Sequence, residues 1–172
     1  MRIIFRFQNI PTNNFLGTDG SSDAVTLFDT GIVRYEHYLF GCAEPFITKD
    51  FGPFEELVTI VQSIIDEYTC EIESFPDFIY NDCFDGSWQH FQLRQKKITV
   101  DNMSYASEED IQTIRLLHDG EDELDRMLLA TRQTNTMVVI YSKIAGAFFE
   151  HCVAKSTTNQ STTISPKTQD QF

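Results

Sequence analysis

Phe54, Leu57, Val58, Val61, Ile64, Ile65 and Tyr68 recur at intervals of three and four residues. That spacing puts all seven on one side of a helix with 3.6 residues per turn. Glu55, Glu56, Gln62, Asp66 and Glu67 fall elsewhere around the same wheel. A stripe this dense needs an apolar sheet face or other helices to cover it. Asp50 is expected to cap the helix and Pro53 to sit in its first turn. Glu55 and Glu56 complement the positive end of its dipole.

The strands around it read by alternation. Over residues 1–8, Ile3, Phe5 and Phe7 share one face, with Arg2, Ile4, Arg6 and Gln8 on the other. Asn9 to Asp23 is rich in Pro, Asn, Thr, Gly and Ser, which predicts a long surface loop. Val25–Phe28 and Ile32–Phe40, joined by Asp29-Thr30-Gly31, predict a hairpin. Residues 71–87 have no clear period, and Trp88–Val100 predicts strand with a break near Gln95–Lys97. Ser107, followed by Glu108, Glu109 and Asp110, predicts a capped helix with Ile111, Ile114 and Leu117 inward. Asp119-Gly120 should stop it, and Glu121–Arg132 should form another helix.

The continuous apolar run Met137–Ser142 predicts a central strand, and Ala147–Val153 the second arm of a closing hairpin after Gly146. Ser156–Phe172 holds eight Ser or Thr and almost nothing apolar, the composition of a disordered tail. This order predicts one α+β domain over residues 1–155, its sheet mostly antiparallel and its helices packed on one face.

Charge is distributed unevenly. The 172 residues hold 13 Lys and Arg against 26 Asp and Glu, a net charge of −13. No basic residue occurs between Lys49 and Arg94, while residues 50–93 carry ten acids; that block is net −10, against −1 before it and −2 after it. The excess argues against a phosphate-backbone partner and against an anionic membrane surface. No apolar run approaches the ~20 residues of a membrane span. Arg6 interrupts the short apolar start, unlike a signal peptide, so a cytoplasmic location is expected.

Within the block, Asp66, Glu67, Glu71, Glu73, Asp77, Asp82 and Asp85 alternate with Phe75, Phe78, Tyr80, Phe84 and Trp88. Two readings fit. The acids coat the solvated side of a helix and loop while the rings are core. Alternatively, acids and rings together receive a basic protein, the rings supplying affinity and the charge the on-rate. On the second reading the partner-binding residues are Asp66, Glu67, Glu71, Glu73, Asp77, Tyr80, Asp82, Asp85 and Trp88. A second run, Asp119–Asp125, has five acids in seven residues and the same two readings.

No dinucleotide, P-loop, nucleophile-elbow or zinc-protease pattern occurs. Cys42, Cys70, Cys83 and Cys152 lack paired spacing, and His37, His90, His118 and His151 are scattered, so no metal or other cofactor is expected. An enzyme is not expected; the alternative kept is a small enzyme or ligand-binding domain with a site near Trp88 and His90.

A strongly acidic single α+β domain with a clustered acidic–aromatic segment resembles the immunity proteins of bacterial polymorphic toxin systems, including contact-dependent inhibition and type VI effector immunity. The resemblance covers residues 1–155 in size, charge and texture, with no diagnostic motif, so no residue roles are carried over. It implies a cytoplasmic protein that neutralises a cognate toxin domain by stoichiometric occlusion, with no nucleic-acid or membrane partner. The carboxylates of residues 66–85 would then stand where nucleic-acid phosphates normally sit, with Trp88 filling the cleft.

Overall fold

The computed structural model describes residues 1–11, 20–39, 41–80, 87–101, 103–117 and 120–153. In chain order the elements are β1 (Ile3–Pro11), β2 (Ser22–Phe28), β3 (Val33–Tyr38), β4 (Ile47–Phe51), α1 (Glu55–Glu67), α2 (Thr69–Ser74), β5 (Phe78–Ile79), β6 (Ser87–Leu93), β7 (Lys96–Asp101), α3 (Glu108–Leu117) and α4 (Glu121–Phe148). A π-helical turn, Phe149–Val153, follows α4. One seven-stranded sheet has the order β4-β3-β2-β1-β6-β7-β5, antiparallel throughout except for the parallel pair β5/β7. This is an α+β fold.

Register explains which sheet face became the core. Val33, Leu27, Phe5 and Leu93 stand opposite one another across β3, β2, β1 and β6. A second row runs through Tyr35, Val25, Phe7, Phe91 and Ile98. Directly opposed residues share a face, so two apolar ribs cross the sheet on one side. Leu57, Val61 and Ile65 of α1 and Met137, Ile140 and Ile144 of α4 bury themselves in the same core cluster as these ribs. The Tyr141 ring lies 4.6 Å from Phe7, and Phe148 lies 5.9 Å from Phe5.

On the opposite face stand Arg6, Gln8, Thr26, Glu36, Tyr38, His90 and Thr99, and no described helix covers them. Arg6 donates to Thr26 Oγ1 (2.7 Å), Tyr38 Oη (3.1 Å) and Glu36. Burial works against its charge, but Glu36 and Tyr38 outweigh that and raise its pKa.

The helix stripe read from residues 54–68 holds: Leu57, Val61 and Ile65 are buried, with Phe54, Val58, Ile64 and Tyr68 half-buried around them. Its start differs from expectation. Asp50 belongs to β4 and grips Arg34 through two hydrogen bonds of 2.7 and 2.9 Å, so it does not cap α1. Pro53 precedes the helix, and Phe54 is the N-cap, without a side-chain bond. Backbone closeness does the positioning instead. Gly31, at φ +80, lies where a Cβ would stand 2.9 Å from the Phe54 nitrogen, and its carbonyl accepts the Phe54 N–H at 2.8 Å. Only glycine permits that approach in that conformation.

The largest correction concerns the C-terminal third. Glu121–Phe148 is a single 28-residue helix, not a short helix followed by a central strand and hairpin. A short β-branched apolar run is ambiguous between strand and buried helix. The wider pattern resolves it: Thr131, Thr134, Met137, Ile140, Ile144 and Ala147 are buried at helical spacing, and neither Gly nor Pro interrupts residues 121–145.

Smaller corrections follow the same logic. Both ends of the predicted 9–23 loop are strand instead, because β1 runs to Pro11 and β2 starts at Ser22. β4 is a further strand that no local pattern marks, since every residue in it is exposed. The β6–β7 break falls at Arg94, whose φ is +57. Leu117 is 72% exposed rather than inward, although Ile111 is buried. Ser107 does cap α3: its Oγ accepts the Asp110 N–H (3.2 Å), while the Asp110 carboxylate accepts from the Ser107 N–H (2.8 Å) and hydroxyl (2.7 Å). Residues 156–172, Asp119 and His118 lie outside the described residues.

The Thr134 hydroxyl is fully buried and has no hydrogen-bond partner among the described residues. An unsatisfied buried hydroxyl costs roughly 1–3 kcal/mol, and a methyl of the same shape removes that cost. Thr134→Val should therefore raise the urea midpoint at unchanged m-value, a gain of about 1 kcal/mol; a loss of stability would show that the hydroxyl is satisfied.

Candidate functional site

The acids of the 50–93 block do not gather into one free patch. Asp66 accepts from the Arg94 guanidinium at 2.6 Å, Glu67 from Lys143 at 2.7 Å, and Asp77 from Lys96 at 3.0 Å. All three bases come from outside the block, brought in by the β6–β7 turn and by α4. Glu67 and Tyr68 raise the Lys143 pKa, and the ammonium sits 4.8 Å over the Tyr68 ring. Glu71 and Glu73, on α2, are exposed and have no ion pair among the described residues. Asp82, Phe84 and Asp85 lie outside the described residues.

The aromatics divide. Phe75 is core. Phe78, Tyr80 and Trp88 are 44%, 58% and 44% exposed, and they cluster. Phe78 stacks on Tyr80 at 6.2 Å between centroids and meets Trp88 edge-on at 6.5 Å. Trp88 stands near one end of β6 and Arg94 just past the other, so the Asp66–Arg94 pair lies roughly 20 Å away from the rings. Structure thus brings Tyr80 and Trp88 together and separates them from Asp66.

Beside the rings runs a groove of about 440 Å³ between β5 and the first half of α4, lined by Pro76, Phe78, Ile79, Tyr80, Glu123, Arg126, Met127, Leu129, Ala130 and Gln133. Glu121, Asp122, Glu123 and Asp125 are all exposed at that end of α4. Of these only Glu123 lines the groove, where Arg126 balances it, so the excess negative charge lies around the groove's end, on the first turns of α4. This contribution comes from the second acidic run, which on the sequence alone carried no link to the rings. The available signal was Met127, Leu129 and Ala130 following that run on a helix.

The open sheet face holds the second candidate. Trp88 and His90 point to it together, as residues two apart on a strand must. His90 Nδ1 lies 2.9 Å from Thr99 Oγ1. Around it Arg6, Gln92, Lys97 and Thr99 border a depression of about 250 Å³, below the roughly 300–1,000 Å³ of small-molecule sites. Cys42 and Cys70 are free and exposed, while burial raises the half-buried Cys152 thiol. Among the described residues no three His, Cys, Asp or Glu side chains are grouped to hold a metal ion, and no helix is long and apolar enough to cross a membrane.

No protein-family model matches the chain, and no curated protein matches it.

Burial holds the His90 pKa below its ordinary value. Below about pH 6.5 the unfolded chain binds a proton at this position that the folded one refuses, so the contribution is complete above that pH and falls as the pH drops toward the folded pKa. Thermal melts across this range should show the wild type losing more stability on acidification than His90→Gln. Parallel curves for the two proteins would place His90 in water.

Proposed function

We propose that the protein is a stoichiometric inhibitor of a basic protein domain, acting in the bacterial cytoplasm as immunity proteins do for their cognate toxins. The observation that carries this reading is the cluster of Tyr80 and Trp88 about the Phe78 ring, left exposed beside a groove whose end carries the acids of α4's first turns. Exposed aromatics held rigid by one another lose little entropy on binding, and rings of this kind dominate interface energetics. A net charge of −13 draws a basic domain in from a distance.

Roles follow from position. Tyr80 and Trp88 enter the partner's cleft; Glu123 and its neighbours flank them. Glu71, Glu73 and the acids already paired with Arg94, Lys143 and Lys96 add long-range field rather than contact. Asp82 and Asp85 occur in the sequence between Tyr80 and Trp88, and on this reading they belong to the contact set.

The test titrates the product of the gene directly upstream of this one, where a toxin gene is expected on this reading, calorimetrically against the protein. A 1:1 complex is expected. Trp88→Ala and Tyr80→Ala should each weaken it roughly tenfold to a hundredfold at unchanged melting temperature. Charge reversal at Glu71 with Glu73 should slow association, most strongly at low salt, and leave dissociation nearly constant. Failure of that product to form a complex, or full affinity in both ring variants, refutes the reading.

A further inference from the structure

The groove has a feature that the rings alone do not explain. β5 pairs with β7 in parallel, and the Thr99 N–H donates to the Asp77 carbonyl at 2.8 Å. In a parallel ladder alternate residues bond to one neighbour, so Asp77 and Ile79 face β7. Phe78, between them, therefore turns its own N–H and C=O the other way, out of the sheet. Among the described residues β5 ends the strand order, and side chains from both of its faces, Ile79 and Phe78, line the groove whose far wall is α4. The other sheet edge, β4, has Lys49 and Asp50 on it, and charges of this kind guard an edge against pairing.

We infer that the β5 edge captures an extended segment of the partner protein as an eighth strand, in which cationic side chains alternate with apolar ones. This rests on the inhibitor reading and specifies how the groove is filled. The segment's backbone bonds Phe78 on both its N–H and its C=O. Strand side chains alternate in direction. One set meets Met127, Leu129 and Ala130 on the α4 wall. The other set meets Phe78, which Trp88 backs, and Tyr80, where Lys or Arg finds ring faces, with Glu123 at the rim. The acids of α4's first turns set the charge of the segment, and the narrowness of β5 confines pairing to a few residues.

The test begins with a random dodecapeptide display library panned against the full-length protein. Enriched peptides should alternate Lys or Arg with apolar residues, and the strongest, made synthetically, is the probe. Phe78→Ala removes the ring and keeps the N–H; Phe78→Pro removes both, while the ladder to β7 uses Asp77 and Ile79. Phe78→Pro should bind the probe roughly threefold to tenfold more weakly than Phe78→Ala, the range of one backbone hydrogen bond. Methylating the probe's amides one at a time gives the same readout on the unaltered protein. Binding should fall at alternate positions only.

Equal binding by the two Phe78 variants, together with tolerance of methylation at every position, overturns the edge pairing. If Trp88→Ala still weakens the probe in that case, the aromatic contact survives without it. Enriched peptides that are acidic, or patterned as amphipathic helices, overturn the inference by naming a different occupant. No enrichment at all overturns both.

Discussion

Everything in this fold hangs on the contact between two apolar ribs of a sheet and the stripes of two helices. β1 is the centre of that contact, since it is paired on both sides and supplies Phe5 and Phe7 to the two ribs. Burying a side chain of this size contributes about 1.5–3 kcal/mol. A one-residue slip of β1 would send Arg6 into the helices and both phenylalanines to water. Arg6 is itself held on the far face by Thr26, Glu36 and Tyr38. Core packing and the polar network thus select the same register from opposite sides.

That contact also decides where charge lies. Placing α1 and α4 on one face brings Lys143 to Glu67, and folding the β6–β7 turn against α1 brings Arg94 to Asp66. The β6–β7 hairpin beside β5 likewise brings Lys96 to Asp77. An acidic block that repels itself in sequence is thereby partly neutralised by bases from the rest of the chain. These pairs are largely exposed, so each adds little to stability. Their effect is to remove those acids from the set available to a partner, and the acids left near the rings are those of the first turns of α4.

Several parts of the fold were legible residue by residue. The 54–68 stripe, the alternation of Phe5 and Phe7 against Arg6 and Gln8, the hairpin over Gly31 and the Ser107 cap are local patterns whose period or chemistry allows one conformation. Other parts were not. β4 is an edge strand with no buried side, so it leaves no alternation to read. Met137–Ser142 carries a strand's composition, yet it belongs to α4 because its neighbours on both sides continue a helical stripe that only burial makes visible. Of the candidate site, Tyr80 and Trp88 were legible as rings in an acidic context, and Glu123 as part of a second acidic run. Nothing local joined the two.

By itself, the sequence determined the elements with strong period, the mixed α and β character, the large negative charge and its concentration before Arg94. Those properties depend on residue spacing and composition, which act over a few residues or over the whole chain. Tertiary structure alone decided which acids found a base, which rings stayed in water, and that β5 and α4 form the two walls of one groove. Such outcomes depend on contacts between residues distant in the chain, from 19 positions apart for Asp77 and Lys96 to 76 for Glu67 and Lys143, and how the sheet and helices share a core sets their meeting, which no local pattern encodes.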